Sequence, residues 1–143
     1  MNRLAVPGGP FTQVRYAVVE LARLRGHEQT REPLLRKLVD QIRSDGFLRR
    51  PVLVEAEHLV ILDGHHRVAA LQLLGCARIP VYLVDYGDPE IDVTTWPGAI
   101  VATVTKGEVV DRGVRGHPFP PKTTRHLVSF TLEDVRVPLD DLR

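Results

Sequence analysis

The sequence predicts an α/β fold, in which short buried strands alternate with amphipathic helices, from three patterns in the middle of the chain. Residues 59–62 form an apolar run that is short enough for a buried strand. From Val68 onwards the apolar residues recur at helical spacing as far as Gly75, which tolerates the left-handed backbone conformation of helix ends. Residues 79–84 have the composition of a second strand. The segment Asp-Gly-His-His-Arg at residues 63–67 is therefore placed at a turn from a strand into a helix.

The other elements are predicted from the same kinds of pattern. Thr30 is the expected N-cap of a helix that ends at Gly46, a residue suited to a helix C-terminus. A later helix is expected after Thr105, because Glu108 follows three residues on and completes the spacing of a capping box. Strand patterns of varying strength occur at residues 16–21, 52–55, 91–93, 100–104, 127–132 and 135–139.

Length and composition predict one domain. The chain has 143 residues, enough to bury a hydrophobic core. We expect residues 1–13, where prolines and glycines are frequent, to form a flexible tail, and residues 14–143 to form the single domain. No apolar run approaches the roughly 20 residues that span a bilayer, and the N-terminus lacks the apolar core of a secretory signal. The lone Cys76 leaves no internal disulfide. A cytoplasmic location, without membrane association, is therefore expected.

The strand-to-helix turn at residues 63–67 has the composition of a phosphate-binding site. The first N–H groups of a helix lack partners within the helix, and the helix dipole places partial positive charge there. Gly64 has no Cβ to hold a phosphate away from the backbone, and Arg67 supplies a planar fork of donors. His65 and His66 add two imidazoles, which gain charge if a phosphate raises their pKa. The alternative interpretation is a solvated turn capped by Asp63.

A second segment of the chain has similar chemistry. Lys122, Thr123, Thr124, Arg125 and His126 place two hydroxyl groups, two cations and an imidazole directly after a proline-rich segment. Taken alone, this pattern also describes a basic surface turn. Because a polyphosphate needs more donors than one helix start provides, we expect the two segments to share one anion site.

Two further residues are candidates for a reactive site. Glu28 is predicted in a polar loop between a strand and a helix, where a carboxylate is either simply solvated or acts as a general base. Trp96, the one tryptophan of the chain, lies between Thr95 and Pro97 in an irregular stretch. It either fills the core or forms the wall of a small pocket.

The motifs Leu-Asp-Gly-His-His-Arg at residues 62–67 and Phe-Pro-Pro-Lys-Thr-Thr-Arg-His at residues 119–126 resemble those of the free L-serine kinases. The His27-Glu28 pair and the strand pattern at residues 79–86 are also similar to that family. The resemblance extends over about residues 19–126 and implies a ParB/sulfiredoxin-like domain with a small mixed sheet and flanking helices. Members of this family phosphorylate the free amino acid with ADP or ATP as donor, which gives O-phospho-L-serine.

The resemblance also implies roles for individual residues. Glu28 matches the base that takes the proton of the serine hydroxyl, and Asp63 matches an acidic residue that assists Mg²⁺ or the hydroxyl. Trp96 matches a tryptophan near the bound serine. The matches to phosphate- and nucleotide-binding positions are Gly64, His65, His66, Arg67, Lys122, Thr123, Thr124, Arg125 and His126.

The resemblance implies Mg²⁺ as cofactor and small molecules, L-serine and an adenine nucleotide, as partners, and it is compatible with a homodimer. The net charge of +1 argues against a large nucleic-acid footprint. Members of the family have a further C-terminal region, whereas this sequence stops at Arg143.

Other function classes remain open from the sequence. A DNA-partition module of the ParB type needs a helical DNA-binding domain after residue 126, and a sulfiredoxin-type reductase needs a cysteine where His65 and His66 stand. A nuclease needs a track for nucleic acid, and no basic stretch of this sequence indicates one. A non-catalytic nucleotide-binding module would keep both phosphate segments without needing Glu28.

Overall fold

A five-stranded mixed sheet forms the centre of the computed structural model, which describes the backbone of residues 2–5 and all of residues 13–143. The helices are α1 (Glu32–Asp45), α2 (His65–Leu73) and α3 (Lys106–Arg115), with short 3-10 turns at Leu21–Arg23 and Leu139–Leu142. The strands are β1 (Asn2–Ala5), β2 (Gln13–Glu20), β3 (Phe47–Leu48), β4 (Val52–Glu55), β5 (Ile61–Asp63), β6 (Arg78–Val84), β7 (Ile91–Thr95), β8 (Thr124–Val128) and β9 (Val137–Pro138).

The order of the central sheet is β1-β2-β6-β4-β5. Strands β4 and β6 are parallel, and the other neighbouring pairs are antiparallel. A parallel pair needs a crossover connection, and here the chain passes through β5 and α2 between β4 and β6. Two small antiparallel pairs, β3 with β9 and β7 with β8, flank the sheet. The fold is thus the mixed α/β domain that the sequence predicts.

The central sheet is covered on both faces. Val52 and Val54 of β4 belong to the core under α1 and α2, whereas Leu53 belongs to the core that includes Val109 of α3 and Phe119. Because both faces are buried, the first three residues of β4, Val52, Leu53 and Val54, are a continuous apolar run without alternating polar residues. The central strands are therefore packed on both faces, and this packing also fixes the position of the strand ends.

Several predicted boundaries are confirmed. The C-cap of α1 is Gly46, with a φ of 78°, in the left-handed region that favours glycine. The capping box at the start of α3 is complete, because the Thr105 side chain accepts from the Glu108 N–H and the Glu108 side chain accepts from the Thr105 N–H. Local chain chemistry was sufficient to define these helix ends.

Other boundaries differ from the prediction. The N-cap of α1 is Arg31 and not Thr30, and no side chain caps this helix. The apolar run at residues 59–62 becomes a strand only at Ile61, because Leu59 adopts a φ of 59° in a tight turn. The buried carboxylate of Glu55 accepts N–H groups from Glu57, His58 and Val60 and so stabilises that turn. Residues 100–104 form no strand.

Strand β1 lies within the segment for which the sequence predicts a flexible tail. Residues 1–13 were expected to form a flexible tail, but Asn2–Ala5 form β1, which pairs with β2 in an antiparallel register. Gln13 already begins β2. Residues 1 and 6–12 lie outside the described residues, and for them the tail stays a prediction. Of the described part of the chain, no helix is long and apolar enough to span a membrane.

Candidate functional site

An open cleft of about 780 Å³ lies between α1 and the turn from β5 into α2. Glu28 and both predicted phosphate segments line this one cleft. The predicted site residues in its lining are Glu28, Asp63, Gly64, His65, His66, Arg67, Trp96, Lys122, Thr124, Arg125 and His126. Thr123 does not line it, since its side chain is buried and its hydroxyl donates to the carbonyl of Pro120 at 2.8 Å.

The carboxylate of Glu28 is anchored through one of its two oxygens. Its Oε1 accepts hydrogen bonds from the backbone N–H of Thr123 at 3.2 Å, the N–H of Thr124 at 2.7 Å and the Thr124 hydroxyl at 2.9 Å. Among the described residues, none donates a hydrogen bond to Oε2. The carboxylate is therefore held rigidly in the cleft wall while one oxygen stays available to a ligand.

These contacts change the expectation for residues 122–126. The N–H groups of Thr123 and Thr124 point at Glu28, so they are not free to bind a phosphate. Lys122 has a φ of 58°, a left-handed conformation that a non-glycine residue rarely adopts, and this turn aims the next two N–H groups at one oxygen. The exposed Lys122 ammonium and Arg125 guanidinium remain as the cationic groups of the segment.

His27 lies directly behind Glu28 and is completely buried. Its Nδ1 lies 2.7 Å from the carbonyl oxygen of Ile61, and its Nε2 lies 2.7 Å from the Thr124 hydroxyl. Burial lowers the pKa of His27, although the hydrogen bond to Ile61 and the charge of Glu28 act in the opposite direction. The sequence indicates His27 only as part of the His27-Glu28 pair, without a role of its own.

His65 and His66 hold the loop that contains Glu28. The Nε2 of His65 accepts the backbone N–H of His27 at 3.1 Å, and the Nε2 of His66 accepts that of Arg31 at 3.0 Å. Burial lowers the pKa of both imidazoles, that of His65 strongly, so both are neutral at pH 7. The structure thus shows them as acceptors for the protein backbone, whereas the sequence suggested charged donors to a phosphate.

Gly64 and Arg67 also have structural partners that the sequence did not reveal. Gly64 has a φ of 115°, and a Cβ there would lie 2.4 Å from Cγ1 of Val52. The Arg67 Nη1 donates to the carbonyls of Arg50 at 3.0 Å and Pro51 at 2.8 Å, and Nη2 lies 3.4 Å from the Asp63 carboxylate. The contact with Val52 by itself requires a glycine at position 64. Contacts with Arg50, Pro51 and Asp63 occupy much of the Arg67 guanidinium.

His126 closes the inner end of the cleft. Its Nε2 lies 2.7 Å from the Tyr86 hydroxyl, and its ring also forms a hydrogen bond with the backbone of Leu62. Burial, with the neighbouring charges of His27 and Lys106, lowers the pKa of His126 to about 3. Burial likewise raises the pKa of Tyr86. A neutral, hydrogen-bonded pair therefore joins β8 to the central sheet at the site.

Trp96 lies at the mouth of the cleft, immediately after β7. Its side chain is 39% exposed, so it does not fill the core. The guanidinium of Arg125 lies 4.7 Å from the centre of its ring, in a cation–π contact. The pair forms a flat wall that carries a positive charge, which agrees with the pocket interpretation of the two that the sequence allowed.

The opposite wall was not predicted. It consists of α1 and the segment after it, which contribute Leu34, Leu38, Gln41, Ile42, Asp45, Phe47, Leu48, Arg49 and Arg50. Leu34 is 41% exposed in this wall, whereas in the sequence it is part of an ordinary apolar stripe that carries no signal for a cleft. Around the whole cleft the cationic side chains are Arg49, Arg50, Arg67, Lys122 and Arg125, against the acidic Glu28, Asp45 and Asp63. The excess of positive charge favours an anionic ligand.

Asp63 can take part in binding a divalent cation. Its carboxylate is 71% exposed and has only a 3.4 Å ion pair with Arg67. Within the described part of the chain, no group of three or more histidine, cysteine, aspartate or glutamate side chains is arranged to hold a metal. Mg²⁺ commonly binds one or two carboxylates together with phosphate oxygens. The residues present thus fit a cation that arrives with a phosphorylated ligand, and they do not form a closed metal site.

The chain is similar to curated L-serine kinases. An ADP-dependent L-serine kinase of Thermococcus kodakarensis is 35% identical over 107 residues, which cover 72% of this chain and 43% of that protein. An ATP-dependent L-serine kinase of Staphylothermus marinus is 30% identical over 112 residues, which cover 74% of this chain and 44% of that protein. These relatives confirm the resemblance inferred from the motifs. The chain spans less than half the length of either curated relative.

The fold and the family are established by two further matches. A mutant of a free serine kinase, solved in complex with ADP, superposes with a TM-score of 0.83 over 90% of this chain and 94% of that one. The sequence identity is 20%, so this similarity shows the fold alone. A family model described as the ParB N-terminal domain matches residues 4–94, more than half of the sequence. The chain therefore belongs to the ParB N-terminal domain family.

Proposed function

We propose that this chain is a kinase that transfers a phosphoryl group from ADP or ATP to the hydroxyl of free L-serine, giving O-phospho-L-serine. The names of the curated relatives support the donor and the acceptor. We further propose that residues 14–143 act as one kinase domain. The sequence has neither a P-loop nor the protein-kinase signatures, so the proposed kinase belongs to neither of these classes.

The anchored carboxylate of Glu28 is the observation that supports this proposal most directly. Phosphoryl transfer needs alignment and charge neutralisation more than covalent help, but an attacking hydroxyl must lose its proton. With Oε1 held by three donors, Oε2 is the oxygen available to take that proton from the serine hydroxyl. Glu28 would then act as the general base.

Phosphate binding is assigned to the groups that remain free. The N–H groups in the first turn of α2 have no partner within the helix, and the helix dipole favours an anion there. Lys122 faces the same cleft from the other segment. Mg²⁺, held by Asp63 and phosphate oxygens, would neutralise charge on the transferring group. The two cleft walls then orient the donor toward Glu28.

We place the serine beside Trp96 and Arg125. The serine carboxylate is an anion, and the guanidinium of Arg125 is an exposed cation next to a flat aromatic surface. A fork of donors suits a carboxylate. This position puts the amino acid at the mouth of the cleft, on the side of β7 and β8 and within the cavity that contains Glu28.

The test is a direct assay of phosphoryl transfer. The purified chain is mixed with Mg²⁺, L-serine and either ADP or ATP, and O-phosphoserine is measured by mass spectrometry. Reactions without serine, and reactions with L-threonine or L-homoserine, show whether the acceptor is specific. We expect O-phosphoserine with at least one of the two nucleotides. Nucleotide binding without product, with both donors, would instead support a non-catalytic nucleotide-binding module.

A further inference from the structure

Behind Glu28, a chain of short contacts runs through Thr124 to His27 and on to the backbone of β5. Three oxygen or nitrogen pairs are involved: Glu28 Oε1 with Thr124 Oγ1 at 2.9 Å, Thr124 Oγ1 with His27 Nε2 at 2.7 Å, and His27 Nδ1 with the Ile61 carbonyl at 2.7 Å. His27 is completely buried and Thr124 is 8% exposed, so water does not readily substitute for a missing partner. Every hydrogen must therefore be supplied by the chain itself.

The three contacts between Glu28, Thr124, His27 and Ile61 share only two hydrogens, one on His27 and one on the Thr124 hydroxyl. A carbonyl oxygen only accepts, so the hydrogen between His27 and Ile61 belongs to Nδ1. A neutral imidazole then presents a lone pair at Nε2, and the anion of Glu28 presents lone pairs at Oε1. The Thr124 hydroxyl has a single hydrogen and two acceptors within 3 Å, so it satisfies only one of them at a time.

We propose that the Thr124 hydroxyl is a two-position switch, which donates to Glu28 while the carboxylate is an anion and to His27 Nε2 once Glu28 has taken up a proton. The proposal rests on the proposed function, in which that proton comes from the serine hydroxyl. A hydrogen bond to a charged acceptor is about twice as strong as one to a neutral acceptor, so the anion takes the hydrogen first. Thr124 and His27 are thus positioning residues for the base.

The switch moves no proton between residues. The serine oxygen forms the bond to phosphorus as the bond from that phosphorus to the bridging oxygen of the nucleotide breaks, so that AMP leaves from ADP or ADP leaves from ATP. The serine O–H bond breaks in the same step, and its proton passes to Oε2 of Glu28. The Thr124 O–H then rotates about its C–O bond toward His27, and Oε1 keeps the two backbone N–H donors of Thr123 and Thr124. Both protonation states of Glu28 therefore keep hydrogen-bonded surroundings. The consequence is a base whose anionic and protonated forms both have hydrogen-bond donors at Oε1.

Thr124→Val tests the switch, because valine has the same shape and keeps the backbone N–H but lacks the hydroxyl. Loss of a donor destabilises the anion of Glu28 relative to the protonated carboxyl group. We expect the acidic limb of the pH profile of kcat/KM for serine to move upward by about one pH unit. Nucleotide affinity should stay near that of the wild type, and Thr124→Ser should restore the original limb. A limb that stays in place in Thr124→Val would overturn the switch.

Two controls are needed. The first shows whether a shifted limb is due only to a less stable fold, and the second tests the switch even if the chain proves not to be a serine kinase. Thr105→Val removes a hydroxyl that caps α3 and does not line the cleft, so it destabilises the fold without moving the limb. Imidazole nitrogen NMR on ¹⁵N-histidine protein needs no turnover: in Glu28→Gln, where the carboxylate is replaced by a neutral amide, the His27 Nε2 resonance should shift toward that of a hydrogen-bonded acceptor. An unchanged His27 resonance would refute the switch. Absence of O-phosphoserine in the wild type would remove the proposed function, and the NMR comparison would then decide the switch by itself.

Discussion

Glu28 has two carboxylate oxygens with different surroundings, and this asymmetry is the central feature of the site at the scale of residues. Three donors converge on Oε1, all from Thr123 and Thr124, which are more than ninety residues away in the sequence. His65 and His66 fix the same loop from the other side through the N–H groups of His27 and Arg31. The base of the proposed reaction is thus positioned by the two motifs that the sequence suggested for phosphate.

Glu28→Gln tests the role of the carboxylate. The amide oxygen can still accept the N–H groups of Thr123 and Thr124, so the loop should keep its position, but an amide cannot take the serine proton. We expect kcat to fall by at least about 100-fold. ADP and ATP affinity, measured by calorimetry, should be retained. Glu32→Gln, which changes an exposed carboxylate on α1, is the matched control. Turnover equal to that of the wild type would remove Glu28 from the mechanism.

The cations of the cleft are expected to differ in what they do. Lys122 is exposed and its ammonium is free to reach a phosphate, so Lys122→Ala should weaken nucleotide affinity by roughly tenfold with a small change in stability. Arg67→Ala should weaken nucleotide affinity as well, but it should also lower the free energy of unfolding, because the carbonyls of Arg50 and Pro51 lose their donor.

Calorimetry and urea denaturation separate these two effects. Lys37→Ala, at a lysine of α1 that does not line the cleft, is the control for a lost surface charge. Unchanged nucleotide binding in Lys122→Ala would place the phosphate elsewhere. Full stability in Arg67→Ala would show that its carbonyl contacts contribute nothing to the fold.

At the scale of elements, the turn from β5 into α2 depends on close packing against β4. Gly64 has a φ of 115°, and its Cα faces Val52, a residue with no exposed surface. The first turn of α2 can therefore lie directly against the end of β4. This packing brings the start of the helix, with its unpartnered N–H groups, to the edge of the cleft.

Gly64→Ala should be strongly destabilising. A Cβ would lie 2.4 Å from Cγ1 of Val52, in addition to the strain of a positive φ. We expect a loss of roughly 3 kcal/mol or more in the free energy of unfolding, measured by urea denaturation. Gly75→Ala is the matched comparison, because Gly75 has a φ of 77° with no heavy atom within 4 Å of the added Cβ. That variant should lose only about 1–2 kcal/mol. Equal losses in the two variants would contradict the packing argument.

At the scale of the whole molecule, three histidines join the Glu28 loop, α2 and β8: His27 is fully buried, and His65 and His126 are half-buried. The ring of His27 lies 4.6 Å from that of His65 and 5.6 Å from that of His126, measured between centroids. Burial lowers the pKa of each, that of His126 to about 3. The junction between the central sheet and the β7–β8 pair is therefore neutral, and protonation of any of these rings places a charge inside it.

This cluster predicts acid instability. An unfolded histidine titrates near pH 6.5, whereas the folded chain binds the same proton only at lower pH. Protons therefore favour unfolding: the stability is fully present above about pH 6.5 and is lost as the pH falls toward the folded pKa values. Each buried histidine adds a slope of up to about 1.4 kcal/mol per pH unit.

Urea denaturation at pH 7, 6 and 5 measures that slope. The His126→Gln variant should be less stable at pH 7 but less sensitive to acid, because one of the buried titrating groups is gone. His117→Gln, at an exposed histidine, should keep the pH dependence of the wild type. Stability that does not change between pH 7 and pH 5 would show that the histidines are not the source of the effect.

The sequence by itself determined the elements whose chemistry is local. The end of α1 at Gly46 and the capping box of α3 involve residues within a few positions of one another, so their patterns are visible in the chain. The continuous apolar run of β4 and the strand-to-helix turn at residues 63–67 were visible for the same reason. The two motifs were recognisable from their composition, whereas the roles of Glu28 and Trp96 came from the resemblance to a family.

Only the tertiary structure decided what these residues contact. The backbone N–H groups of residues 123–124 donate to Glu28. The two histidines of the turn accept backbone N–H groups, and Arg67 donates to the carbonyls of the two residues before β4. Sequence shows which groups can donate or accept, but long-range folding determines which partners they meet. His27 and the α1 wall were missed for that reason: a buried histidine and an exposed leucine differ from ordinary ones only through neighbours brought from distant parts of the chain.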